Sequence, residues 1–152
     1  MNLATPRALL FVPGLALGLA GCDPEPTELV EVTSFEHGIG KDTEGGAFRV
    51  VLYSREGLEV GSNELVARVG FHDPSDPLAP GYGIPGARVR VDVFPVSGEG
   101  EPLELEAIYA EDGCYLFEDL ELSAPGAWQF EFEIEVGETL DESVAFAFEI
   151  DG

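Results

Sequence analysis

After Met1 the chain contains no methionine, and its 152 residues include only two cysteines, two histidines and seven basic side chains against 30 acidic ones. Each shortage excludes a class of function. Without thioether sulfur a single copy cannot build a methionine-based Cu(I) site. With so few cations, a net charge of −23 repels phosphate backbones and anionic headgroups, which disfavours nucleic-acid binding and polybasic membrane docking. The one long apolar run, from Ala8 to Ala20, is broken by Pro13 and Gly14 and falls short of the roughly 20 residues a transmembrane helix needs.

That run is informative in another way. Arg7 precedes it, and Leu19-Ala20-Gly21-Cys22 closes it with small residues ahead of a cysteine, the anatomy of a secretory signal. It resembles a bacterial lipoprotein signal with its lipobox. The resemblance implies cleavage between Gly21 and Cys22, a diacylglyceryl thioether on Cys22 and a protein held on a membrane from outside the cytoplasm. Residues 1–21 then form the signal, and residues 22–45 hold the lipidated cysteine, a proline-marked tether and a first strand candidate. Residues 46–152 form the folded domain. Asp23, next to the lipidated position, resembles an inner-membrane retention signal.

Removing the first 21 of 152 residues leaves 131, with six basic and 30 acidic side chains, a net of −24. That length suits one domain with its own core. A composition 45% hydrophobic with ten Phe argues against a disordered acidic tail. Cys114 is the only thiol left, so no intramolecular disulfide forms, and its acidic sequence neighbours give it no activating cation. It reads as a small buried hydrophobe.

Period-two alternation marks strands at Ala47–Ser54, Glu64–Phe71, Ala87–Phe94, Leu103–Tyr109, Cys114–Leu120, Trp128–Val136 and Ser143–Ile150, with a weaker one in Leu29–Phe35. Residues 36–46 read as a loop. Seven to eight short strands parted by Gly, Pro and Asp turns predict an all-β, antiparallel, immunoglobulin-like sandwich. Trp128, Phe130, Phe132, Ile134 and Val136 share one face, opposite Gln129, Glu131, Glu133 and Glu135. Val144, Phe146, Phe148 and Ile150 form a second inward set, and Val89, Val91 and Val93 a third. Asp112-Gly113, Pro85-Gly86 and Pro125-Gly126 read as tight turns.

The order of Asn63-Glu-Leu-Val-Ala-Arg-Val69, Gly83-Ile-Pro-Gly-Ala87, Asp112-Gly-Cys-Tyr115 and Ala124-Pro-Gly-Ala-Trp128 over residues 45–151 resembles the YtkA-like domain of bacterial secreted and lipid-anchored proteins. That resemblance implies the same sandwich. Relatives carry Met and His ligands that suggest copper handling. Here the corresponding segment reads Phe94-Pro-Val-Ser-Gly-Glu-Gly100, and Ala124 stands at the second Met position, so the resemblance stops short of a copper site.

Other chemistry is equally thin. His72, Asp73 and Asp76 are a candidate hard-cation set, although Asp is also the ordinary turn former there. Gly40-Lys41 lacks the first glycine of a phosphate loop, with Phe35 there, and has Asp42 where Ser or Thr belongs. No Gly-x-Ser-x-Gly elbow occurs. Glu131, Glu133 and Glu135 lie side by side on an outer face rather than in a cleft that would differentiate them. Glu104, Glu106, Glu118, Asp119, Glu121, Glu131, Glu133 and Glu135 could form a continuous acidic stripe that attracts cations or a basic partner, with solubility and salt tolerance as the alternative reading. The expectation is a non-enzymatic, lipid-anchored module without a cofactor, catalytic residue or metal site, displayed on the periplasmic or outer surface of a bacterial envelope. Its implied partners are the membrane, through Cys22, and an envelope protein. The alternative is a metal-associated accessory protein using hard cations.

Overall fold

The computed structural model describes residues 30–79, 81–138 and 140–152. The lipobox, Gly21 and Cys22 lie outside them. Among the described residues ten strands form, and no helix is long and apolar enough to cross a membrane. They are β1 (Val32–Ser34), β2 (Ile39–Asp42), β3 (Phe48–Tyr53), β4 (Gly61–Phe71), β5 (Arg88–Pro95), β6 (Leu103–Glu106), β7 (Ile108–Tyr109), β8 (Cys114–Leu122), β9 (Gly126–Val136) and β10 (Leu140–Ile150). Sheet A has the order β1-β10-β9-β5-β6 and sheet B the order β2-β3-β4-β8-β7. Pairing is antiparallel except between β1 and β10. The result is an immunoglobulin-like β-sandwich.

The inward faces are those the alternation assigns. Trp128, Phe130, Phe132, Ile134, Phe146, Phe148, Val89, Val91 and Val93 are buried from sheet A. Phe48, Val50, Leu52, Leu65, Ala67, Val69, Tyr115 and Phe117 meet them from sheet B. Phe117 and Phe132 pack edge to face across the interior with ring centroids 5.8 Å apart, a preferred geometry for two aromatic quadrupoles. At about 1.5–3 kcal/mol for each large apolar side chain, these layers drive folding without a disulfide or metal.

Three local features depart from the alternation. Residues 39–42, expected as loop, form edge strand β2 against β3. The single strand expected at Leu103–Tyr109 divides at Ala107, whose N–H bonds to Val89 O: β6 pairs with β5 in sheet A, and β7 with β8 in sheet B. In β8 a bulge places Glu118 and Asp119 opposite the single Glu64, with Asp119 at φ 58°. The extra residue moves the inward phase from Tyr115 and Phe117 to Leu120 and Leu122.

One lateral seam closes through the segment after β2. Lys41 Nζ donates to Ala145 O at 3.0 Å, Glu44 N to Ser143 O at 2.9 Å, and Thr43 Oγ1 to the Glu142 carboxylate. These contacts cover the part of the β10 edge that the short β1 leaves free, blunting strand-to-strand aggregation.

The long β4–β5 connection is tied down by the core. The Tyr115 hydroxyl donates to Ile84 O at 2.6 Å and accepts from Ala87 N at 2.9 Å, spanning the Pro85-Gly86 turn. Burial pushes the Tyr115 pKa up, so the neutral hydroxyl that makes both bonds is the favoured form.

Candidate functional site

The strand registers of sheet A assemble its charged outer face row by row. Glu106, Arg90, Glu133 and Ser143 lie abreast on β6, β5, β9 and β10. On one side of that row Arg88, Glu135 and Asp141 are abreast, and on the other Glu104, Asp92 and Glu131. The two arginines pair with three of the four carboxylates in the first two rows. Arg90 Nη2 lies 2.5 Å from Glu133 Oε1 and 3.9 Å from Glu135, while Arg88 reaches Glu106 at 3.2 Å and Glu135 at 3.7 Å. Hydrogen bonding to Glu133 and to Glu106, respectively, raises the Arg90 and Arg88 pKa values further above their ordinary value, so both stay charged.

The third row differs. Among the described residues no ion pair reaches Asp92, Glu104 or Glu131; Glu131 accepts only from Gln129 Nε2, at 2.8 Å. Three carboxylates in register on adjacent strands repel one another, at a cost of a few tenths to about 1 kcal/mol per directly opposed pair. Arg90 in the adjacent row attracts Glu104 without forming an ion pair with it, so the row keeps an attraction for further positive charge.

The acidic stripe that the sequence allowed is not continuous. Glu104, Glu106, Glu131, Glu133 and Glu135 belong to sheet A, whereas Glu118, Asp119 and Glu121 lie on β8 in sheet B, across the sandwich. Alternation reports inside or outside but not which sheet, so it merged two surfaces.

The histidines sit at opposite ends. His37, between β1 and β2, stacks edge to face on Tyr53 and lies 2.9 Å from Ser54 O through Nδ1. His72, after β4, has Nδ1 3.0 Å from Asp42 Oδ1, at ion-pair distance but outside hydrogen-bond angles. Asp73 instead bonds Ser75 N and Oγ at 2.8 and 2.6 Å, and these bonds hold its carboxyl below the ordinary value. His72, Asp73 and Asp76 thus form no common ligand cluster. Glu133, Glu135 and Asp141 do, with one ligand oxygen from each within 4.8 Å of the others. Single-strand alternation missed that trio because Asp141 comes from the neighbouring strand.

Cys114 corrects a second expectation. It is half-buried on the outer face of β8, next to Arg68, while Tyr115 takes the inward position. Desolvation pushes its thiol pKa up, and Asp112 and Glu111 reinforce this against the opposing pull of Arg68, so the unreactive thiol form is favoured.

No protein-family model matches the chain, and no curated protein matches it significantly.

Proposed function

We propose that this chain is a lipid-anchored, non-catalytic binding module of a bacterial envelope, akin to YtkA-like domains, held through Cys22 on the periplasmic or outer surface. The outer face of sheet A receives a basic segment of an envelope protein. The row Glu104–Asp92–Glu131, which no ion pair reaches among the described residues, carries this reading. A row of opposed carboxylates is a standing cost to the free domain, and a lysine- or arginine-bearing partner relieves it while gaining electrostatic steering. The signal anatomy ending in Leu19-Ala20-Gly21-Cys22 supports the location, and the order of short motifs from Asn63 to Trp128 supports the YtkA-like kinship.

An oligolysine peptide is the direct probe. It should bind the mature domain with an affinity that falls as salt rises. The triple variant Asp92→Asn/Glu104→Gln/Glu131→Gln should weaken binding roughly tenfold, since each exposed charge pair contributes about half a kcal/mol. Glu118→Gln/Glu121→Gln on sheet B should have a much smaller effect. Equal losses from the two sets would mean that the peptide senses net charge alone.

The Glu133, Glu135 and Asp141 trio favours the second reading, a hard-cation accessory protein. Arg88 and Arg90 already occupy two of those carboxylates, so we expect Ca²⁺ and NaCl at matched ionic strength to raise the melting temperature equally. A saturable shift with Ca²⁺ alone would establish the cation site. In the same preparation, chelator competition should show no submicromolar copper binding; finding it would return the domain to copper handling.

A further inference from the structure

We infer that the β4–β5 loop rests on the bilayer to which the chain is anchored, with Leu78 and Tyr82 as its headgroup-level contacts. The inference builds on the lipid-anchor reading and adds the orientation of the domain on the membrane. Leu78 and Tyr82 are the most exposed large apolar side chains among the described residues, at 82% and 88%, and Phe71, beside Tyr82, is 53% exposed. Phe71 and Tyr82, with Pro74 and Ala79, line a groove of about 440 Å³. Large apolar side chains gathered at one exposed place mark an interaction surface.

Their exposure is built into the loop. Phe71 N donates to Tyr82 O at 3.1 Å and Arg68 Nη2 to Gly81 O at 2.8 Å, drawing the returning backbone onto the end of β4. Gly81 approaches so closely, at φ +67°, that a Cβ there would lie 2.0 Å from Phe71 O. The Asp73–Ser75 bonds and the Ala79 N to Asp76 O bond order the outgoing half. The Tyr82 side chain therefore projects from fixed backbone, so docking it costs little ordering entropy.

The direction in which the chain enters β1 supports this occupant. Because β1 runs parallel to β10, with Val32 beside Ala147 and Ser34 beside Glu149, the chain enters β1 from the end at which β10 begins. The β4–β5 loop lies at that same end, as the Glu44–Ser143 and Ile84–Val69 bonds show. The eight peptide steps from Cys22 to Val30 reach at most about 28 Å. The start of β10 lies five residues from the level of Ala145, about 17 Å at 3.3 Å per residue, and so within that reach. A lipid on Cys22 can therefore sit at this end, the one from which the chain enters β1, where a tyrosine and a leucine suit the interface between headgroups and acyl chains.

The surrounding charge gives the contact a signature. Asp73 and Asp76 flank the apolar tip, and the mature chain carries a net −24. Added salt should therefore strengthen the contact and anionic lipid weaken it, the reverse of polybasic docking.

The sole tryptophan makes the test clean. Trp128 is fully buried at the opposite end, with Nε1 bonded to Ala124 O, and serves as a silent reference. Tyr82→Trp is placed in the mature chain, anchored in phosphatidylcholine and phosphatidylethanolamine vesicles with brominated acyl chains. The new emission should be quenched by the bromines, shielded from iodide and more strongly quenched as NaCl rises. Leu78→Ser in that background should move the docked-to-undocked ratio about tenfold towards undocked, the factor for one apolar side chain losing its burial. Full access to iodide with no bromine effect would overturn the inference. So would shielding that depends on protein concentration rather than on lipid, which would assign the loop to a second copy. Repeating the measurement with a hexahistidine tag in place of Cys22 on nickel-chelating lipid separates this outcome from the lipidation question, which the mass of the native protein answers independently.

Discussion

Trp128→Ala is expected to destabilise the domain by about 3–5 kcal/mol in a denaturant titration, while Glu133→Gln on the same strand changes it by about 1 kcal/mol or less. Trp128 is fully buried, its Nε1 is bonded to Ala124 O at 2.9 Å, and it packs closely against Gly100. Truncation removes the largest apolar side chain of the core and leaves a cavity that paired strands cannot collapse to fill. Glu133 faces out and is partly exposed, where water screens its contact with Arg90. Equal effects at the two positions would contradict the register of β9.

Gly113→Ala is expected to cost about 2–4 kcal/mol, against about 1 kcal/mol for Gly137→Ala. Both glycines have positive φ, +74° and +64°, so an L side chain strains both. Only Gly113 lies at a junction. A Cβ there would sit 2.5 Å from Val69 O, 2.6 Å from Gly83 Cα and 2.9 Å from Ile84 N, whereas at Gly137 it would meet nothing within 4 Å. The excess at Gly113 therefore measures how tightly the β7–β8 turn, β4 and the β4–β5 connection converge. Equal melting temperatures for the two variants would show that this junction is looser than described.

Asp112-Gly113 also illustrates what could be read from the chain. A turn requiring positive φ at successive positions takes such a pair, and Asp112 and Gly113 have φ values of 49° and 74°. Inward faces were legible wherever apolar residues alternate over five or more positions, as from Trp128 to Ile134 and from Val144 to Ile150. The strand β2 was hidden because Ile39-Gly-Lys-Asp42 has one apolar side chain and no repeat. The sheet switch at Ala107 was hidden because the alternation of Leu103-Glu-Leu-Glu continues across it without a turn residue. The phase slip in β8 left no mark beyond Glu118-Asp119, a pair that reads equally well as solvent-facing.

The site was legible in parts and not as a whole. Alternation placed Glu131, Glu133 and Glu135 outward and set Arg88 and Arg90 opposite their valines. It carried no information on the cross-strand register that hands Glu133 and Glu135 to arginines and leaves Asp92 between Glu104 and Glu131. The exposed tip at Leu78 and Tyr82 was hidden for the opposite reason: an apolar residue inside a Pro- and Asp-rich loop has no periodic neighbours to fix its direction.

The claim on which location and partner both depend is the anchor, and the intact mass of the protein recovered from bacterial membranes tests it most directly. The account predicts a chain beginning at Cys22 and carrying a diacylglyceryl group, and it predicts that Cys22→Ser yields an unprocessed or soluble product. A full-length chain without lipid, recovered from a host with working lipoprotein machinery, would contradict it.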